Sequence, residues 1–224
     1  MRLSGSHDAI PVEVRAADGS LAWRRVFWRA DGEHAEAAEA APGGGLVLAG
    51  YTWAGPLQEP LVLRLAADGT VLWSVKLEGE VGSGSGLAPA GDGGWLVAGA
   101  GNLGTPDARY IWVAKLDAAG QVLWATRFPG KYQSPVSVLA RSGGGVVLTT
   151  RVDVGYNLDG VAVIWADAGR RAGGMGTDVV LAATAVALRA DLPSWVDQAV
   201  AFPGFSVGGA AQRPTNLAAV QLAP

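Results

Sequence analysis

The chain has 224 residues, half of them hydrophobic and 17% charged, with a net charge of −3 and no cysteine. That composition supports a packed core of one large or two small domains and excludes general disorder. It also excludes disulfides, thiolate catalysis and cysteine-based zinc sites, and it leaves no basic footprint for nucleic acid.

Residues 1–9 form a tail without the apolar core of a signal peptide. If Met1 is the native start, the expected location is the cytoplasm; if an export signal has been removed, it is the cell envelope or beyond. No stretch reaches the ~18 apolar residues of a membrane span. Regular repeats follow over residues 10–169. Ala17-Asp18-Gly19, Ala67-Asp68-Gly69, Ala118-Ala119-Gly120 and Asp167-Ala168-Gly169 recur at a nearly constant period. After the first three comes a tryptophan, Trp23, Trp73 and Trp124. A second landmark, Gly43-Gly44-Gly45, Gly93-Gly94 and Gly143-Gly144-Gly145, precedes an apolar run each time.

The chain enters this pattern in mid-unit, with expected strands at 11–16 and 21–28. The clearest unit spans 85–128: strand A at 86–90, B at 95–100, C at 110–116 and D at 121–128. Short apolar runs bounded by Gly and Asp turns read as strands, and Asp-Gly between two of them marks a hairpin. The four form an up-and-down meander. Such repeats cannot bury both faces alone and stack radially as propeller blades. The D-strand tryptophans are then expected to wedge against the neighbouring blade and carry several kcal/mol each, in the roughly 3–5 kcal/mol range of core truncations.

The element Val113-Ala114-Lys115-Leu116-Asp117-Ala118-Ala119-Gly120-Gln121-Val122-Leu123-Trp124, with its counterpart from Leu61 to Trp73, resembles the blades of pyrroloquinoline-quinone-type β-propellers. It is also similar to a broad group of bacterial propeller repeats. The resemblance covers about residues 10–169 and implies blade architecture. It does not bring the quinone: the vicinal cysteine pair is absent and the calcium-binding acidic set has no match, so no cofactor is expected. The expected fold is all-β, a small propeller of about four four-stranded antiparallel blades in a single domain, the alternatives being five blades or an open ring. Residues 170–224 are expected to be a degenerate closing repeat, with strands at 198–202, 205–209 and 217–222 completed by 21–28. A competing parse places strands at 178–183 and 185–189 as a fifth, partial blade.

Meander connectivity puts A–B and C–D turns at one end and B–C and D–A connections at the other. Long B–C loops are expected at 51–60, 101–109 and 151–160, and substantial D–A loops at 29–35, 78–85 and 129–134. Binding residues favour loops held by a rigid scaffold. The candidate ligand-binding set is therefore Trp53, Asn102, Asp107, Arg109, Arg151, Asp153, Tyr156 and Asp159, flanked by Gln58, Glu59, His34, Lys131, Tyr132 and Asn157. Aromatic residues beside Asn, Asp and Arg suit a protein, peptide or glycan ligand. An incomplete ring would be completed by another chain. No catalytic or metal residues are expected: Asp31-Gly32-Glu33-His34 is a single local acidic cluster, and His34 is the one histidine outside the tail. Gly82-Ser83-Gly84-Ser85-Gly86 lacks the lysine of a phosphate loop and reads as a flexible turn. The alternative function is a propeller hydrolase or lyase acting on sugars through loop carboxylates.

Overall fold

The computed structural model describes residues 9–29, 32–54, 56–80, 82–102, 109–130, 132–155, 158–172, 176–179 and 181–191. These hold sixteen β-strands in four antiparallel sheets, and no helix. The first sheet pairs β1 (Ile10–Arg15) with β2 (Leu21–Trp28). The second is the meander β3 (Glu33–Ala40), β4 (Leu46–Ala54), β5 (Leu57–Leu65) and β6 (Val71–Glu78). The third repeats it as β7 (Ser83–Pro89), β8 (Trp95–Asn102), β9 (Arg109–Leu116) and β10 (Val122–Pro129). The fourth has β11 (Tyr132–Ala140), β12 (Val146–Gly155) and β13 (Leu158–Ala166), with no fourth strand beside β13 among the described residues.

Three short strands follow: β14 (Thr177–Val179), β15 (Ala182–Ala185) and β16 (Arg189–Asp191). They pair with β10, β6 and β2 respectively. The chain thus runs backwards along the outer edges of the third, second and first sheets, as a strap over three otherwise unpaired edges. These strands therefore do not make a fifth unit, because each belongs to a different sheet. The edges of β2 are held by β1 and, over Val26–Trp28, by β16, so the strand paired beside β2 is β1 rather than one at 217–222. The strand at 11–16, unaccounted for by the closing scheme, is the partner of β2. The expected strands at 198–202, 205–209 and 217–222 lie outside the described residues.

Alternation of side chains along each strand gives the second and third sheets two apolar faces. One cluster joins the first and second sheets, with Ile10, Val12 and Phe27 against Leu46, Leu48, Leu61, Leu63 and Leu65. Another joins the second and third, with Val47, Ala49, Val62, Val75 and Leu77 against Trp95, Val97, Trp112, Ala114 and Leu116. The last joins the third and fourth, with Leu96, Ile111, Val113 and Phe128 against Val136, Val138, Leu148 and Ile164. The segment 82–86 is no flexible turn. It opens β7, and a side chain at Gly86 would sit 2.5 Å from the Val136 carbonyl of β11.

The C–D turns lock neighbouring sheets together. Gly69 and Gly120 have φ of 80° and 85°, a conformation that favours glycine. The Trp23 Nε1–H donates to the Ala67 carbonyl (2.7 Å) and that of Trp73 to the Ala118 carbonyl (2.9 Å). In the fourth turn the corresponding position is Arg170, at φ 63°, not the Gly169 that the sequence phase suggests. Hydrogen bonds fix the phase: Arg170 N–H donates to Asp167 as Gly120 N–H does to Asp117.

Candidate functional site

The expected long B–C loops at 51–60 and 151–160 are for the most part strand; of 101–109, Gly101, Asn102 and Arg109 lie in strands and 103–108 lie outside the described residues. β4 and β5 stay paired out to Trp53↔Gln58 and Ala54↔Leu57, and β12 and β13 out to Asp153↔Asp159 and Gly155↔Leu158. The described candidates therefore sit on hairpins that outrun the body of each sheet. The D–A connections fold onto these hairpins. Trp53 N–H donates to the Gly32 carbonyl (3.2 Å), Gly82 N–H to the Gln58 carbonyl (2.9 Å), and Gly130 N–H to the Arg109 carbonyl (3.2 Å). Both kinds of connection thus meet at one end of the sheets.

Register relates the candidates to one another. Counting from the first B-strand residue, Trp53, Asn102 and Asp153 hold the same position on β4, β8 and β12. Their cross-strand partners are Gln58, Arg109 and Asp159. Three sheets thus place a matched pair at the same register position. Arg151 lies two residues before Asp153, so the two share a face. Asp107, Tyr156, Asn157 and Lys131 lie outside the described residues. Tyr132 opens β11, half-buried against the apolar cluster between the third and fourth sheets. Glu59 belongs to the other face of its hairpin, where it accepts a hydrogen bond from Lys76 (2.9 Å). The Glu59 carboxylate, then that of Glu78, holds the Lys76 ammonium above its ordinary range.

The most developed grouping lies on the second sheet. His34 and Tyr51 are cross-strand neighbours whose rings stack at 4.6 Å with an 18° interplanar angle. Trp53 meets Tyr51 edge-on at 5.8 Å. All three side chains are half-buried. They continue the face that carries Val47 and Ala49 lower down, so a rigid apolar floor supports them. Tyr51 was not among the sequence candidates. Its signal was the alternation Tyr51-x-Trp53, which puts both rings on one face once residues 51–54 are read as strand.

Two buried acids brace this end. The Glu33 carboxylate accepts from the Arg29 backbone N–H (2.6 Å) and the Thr52 hydroxyl (3.2 Å). The Glu80 carboxylate accepts from the Tyr110 hydroxyl and from Arg127 Nε (2.9 Å), and the Arg127 guanidinium lies 4.8 Å from the centre of the Tyr110 ring. A buried carboxylate must be paired to be tolerated. Glu33 and His34 are thus engaged separately, one with a turn and the other with a ring. Among the described residues no three His, Cys, Asp or Glu side chains converge as metal ligands. The described residues hold no helix long and apolar enough to cross a membrane. No family model matches the chain, and no curated protein matches it.

Proposed function

We propose that this chain is a non-catalytic binding module of propeller type, with its recognition face at the end where B–C hairpins and D–A connections meet. The four sheets are read as consecutive blades. Tryptophans docking on the next sheet's turn support that reading, as does the likeness of the repeats to pyrroloquinoline-quinone-type blades. The single observation that carries the function is the His34–Tyr51–Trp53 cluster. It places partly open aromatic surface on a rigid hairpin, beside polar positions repeated on the next two sheets. Aromatic anchors with a few convergent polar groups are the usual make-up of a specific site. A glycan or an extended peptide is the ligand class that such a surface suits.

The test is a screen of the whole protein against glycan and peptide arrays, repeated with Tyr51→Ala/Trp53→Ala. The expected result is at least tenfold weaker binding in the double variant, with little change in melting temperature. Asp68→Ala and Ala119→Ser, at the opposite end, should leave binding intact. Binding that survives loss of both rings, or that depends on positions 68 and 119, places the site elsewhere.

A further inference from the structure

We infer that the far face of the fourth sheet is an interface between two copies of this chain, packed head to head. Register makes the case. Val147 of β12 occupies the position of Val47 in β4 and Leu96 in β8. Val163 of β13 occupies that of Val62 and Val113, and Val161 that of Ile111. In the second and third sheets these positions face the following sheet and are closed: Val47, Val62, Val113 and Ile111 are 0% exposed. In the fourth sheet the same positions stay apolar, yet Val163 is 55% and Val161 80% exposed, with Leu139 at 63% and Trp165 at 62%. Around Leu139, Val147, Val163 and Trp165 this face has the chemistry of an inter-sheet interface, and Val161 borders it beside Arg151, which with Asp153 gives the same face a charged end; nothing described packs on the apolar part.

The other end of the stack does not match it. On the outer face of the first sheet the Glu13↔Arg24 pair holds the register position of Leu63↔Ser74 and Ala114↔Ala125. Glu13 is bound there by both Arg24 and Arg15. Setting that charged face on Val161, Val163 and Leu139 would desolvate ions against hydrocarbon. This disfavours both closure of the first sheet onto the fourth and head-to-tail association. The surface that does match is the same apolar face on a second copy, related by a two-fold axis, as an isologous dimer requires. The exposed side chains would bury on the order of 1,000 Å² in total, the lower bound for a specific interface. Arg141, whose guanidinium lies 5.1 Å from the centre of the Trp165 ring, supplies a polar rim.

The experiment is sedimentation equilibrium of the full chain, with thiol reactivity at Val161→Cys as a second readout; the natural chain has no cysteine, so that thiol is unique. The expected result is a monomer–dimer equilibrium, with the thiol reacting at least tenfold more slowly as dimer fills. Val161→Lys/Val163→Lys should be monomeric, with an unchanged far-ultraviolet spectrum. A monomer with a reactive thiol at every concentration overturns the inference. So does a protected thiol in a monomer, which would mean the chain covers its own face. A dimer that survives the double lysine variant, or one lost on Glu13→Gln/Arg15→Gln, also overturns it.

Discussion

At the residue scale the joints between sheets are made by half-buried tryptophans, and that changes what their loss should cost. Trp73 is neither a core residue nor a surface one. One edge of its indole donates to Ala118, and its ring lies where a side chain at Gly120 would come within 3.0 Å. The core-truncation figure of 3–5 kcal/mol therefore overstates its loss; about 2–3 kcal/mol is expected for Trp73→Ala. Trp73→Phe should cost about 1 kcal/mol, since packing is kept and one hydrogen bond is lost. Gly120→Val should cost about 2 kcal/mol or more, from a positive φ in a β-branched residue plus displacement of the ring. Denaturant melts check all three, and equal losses for the Ala and Phe variants would show that the hydrogen bond carries the joint.

At the element scale the strap sets this fold apart from a plain series of meanders. β14 is held by side chains more than by length. The Asp178 carboxylate takes hydrogen bonds from the Arg170 guanidinium (3.1 Å) and the Thr126 hydroxyl (3.0 Å). Arg170, then Thr126, holds the Asp178 carboxyl below its ordinary value of 3.8. A carboxyl whose folded pKa is depressed stabilises the fold above its unfolded value and loses that contribution as pH falls through the folded one. Protection of the 177–179 amides relative to intrinsic exchange should accordingly be high at neutral pH and fall as pH drops below 3.8. In Asp178→Asn the exchange should be fast at neutral pH already. An exchange rate that follows intrinsic chemistry alone across that range would show that the ion pairs do not hold the strap. Arg170→Gly makes a paired test: it relieves a strained φ worth about 1 kcal/mol but removes the anchor, so the strap should loosen.

For the whole molecule, the consequence of this arrangement is serial coupling. The second and third sheets each contribute to two apolar clusters, so neither can open without exposing a neighbour. The hairpin of β1 and β2 would be marginal alone and leans on Leu61, Leu63 and Leu65 of the second sheet. The strap adds a link from the last described strand back to β2. Unfolding should therefore be one cooperative transition, with far-ultraviolet and tryptophan-fluorescence melts coinciding. Trp112→Ala, in the central cluster, should shift both together by about 3–5 kcal/mol. A first transition at unchanged temperature, seen by one probe alone, would show that the sheets melt independently.

The strands, the tight turns and the end of the sheets where connections gather were legible in the sequence because they are local. Alternation over six to eight residues, a glycine at the αL position and antiparallel connectivity need no distant partner. Local pattern also set the phase of Trp23, Trp73 and Trp124. What sequence left open was decided by non-local pairing. Residues 170–191 carry too little pattern to name a partner, and their strands are specified by free edges on β10, β6 and β2. The phase slip at Arg170 was hidden by the neighbouring Gly169, and hydrogen bonding alone reveals it. The hairpins at 51–60 and 151–160 read as loops because Gly, Pro and polar residues interrupt them, yet cross-strand pairing carries the strands through. The pairing of β3 with β4 brings His34 onto Tyr51, seventeen residues further on. Such a contact depends on register, which a single strand's pattern does not contain.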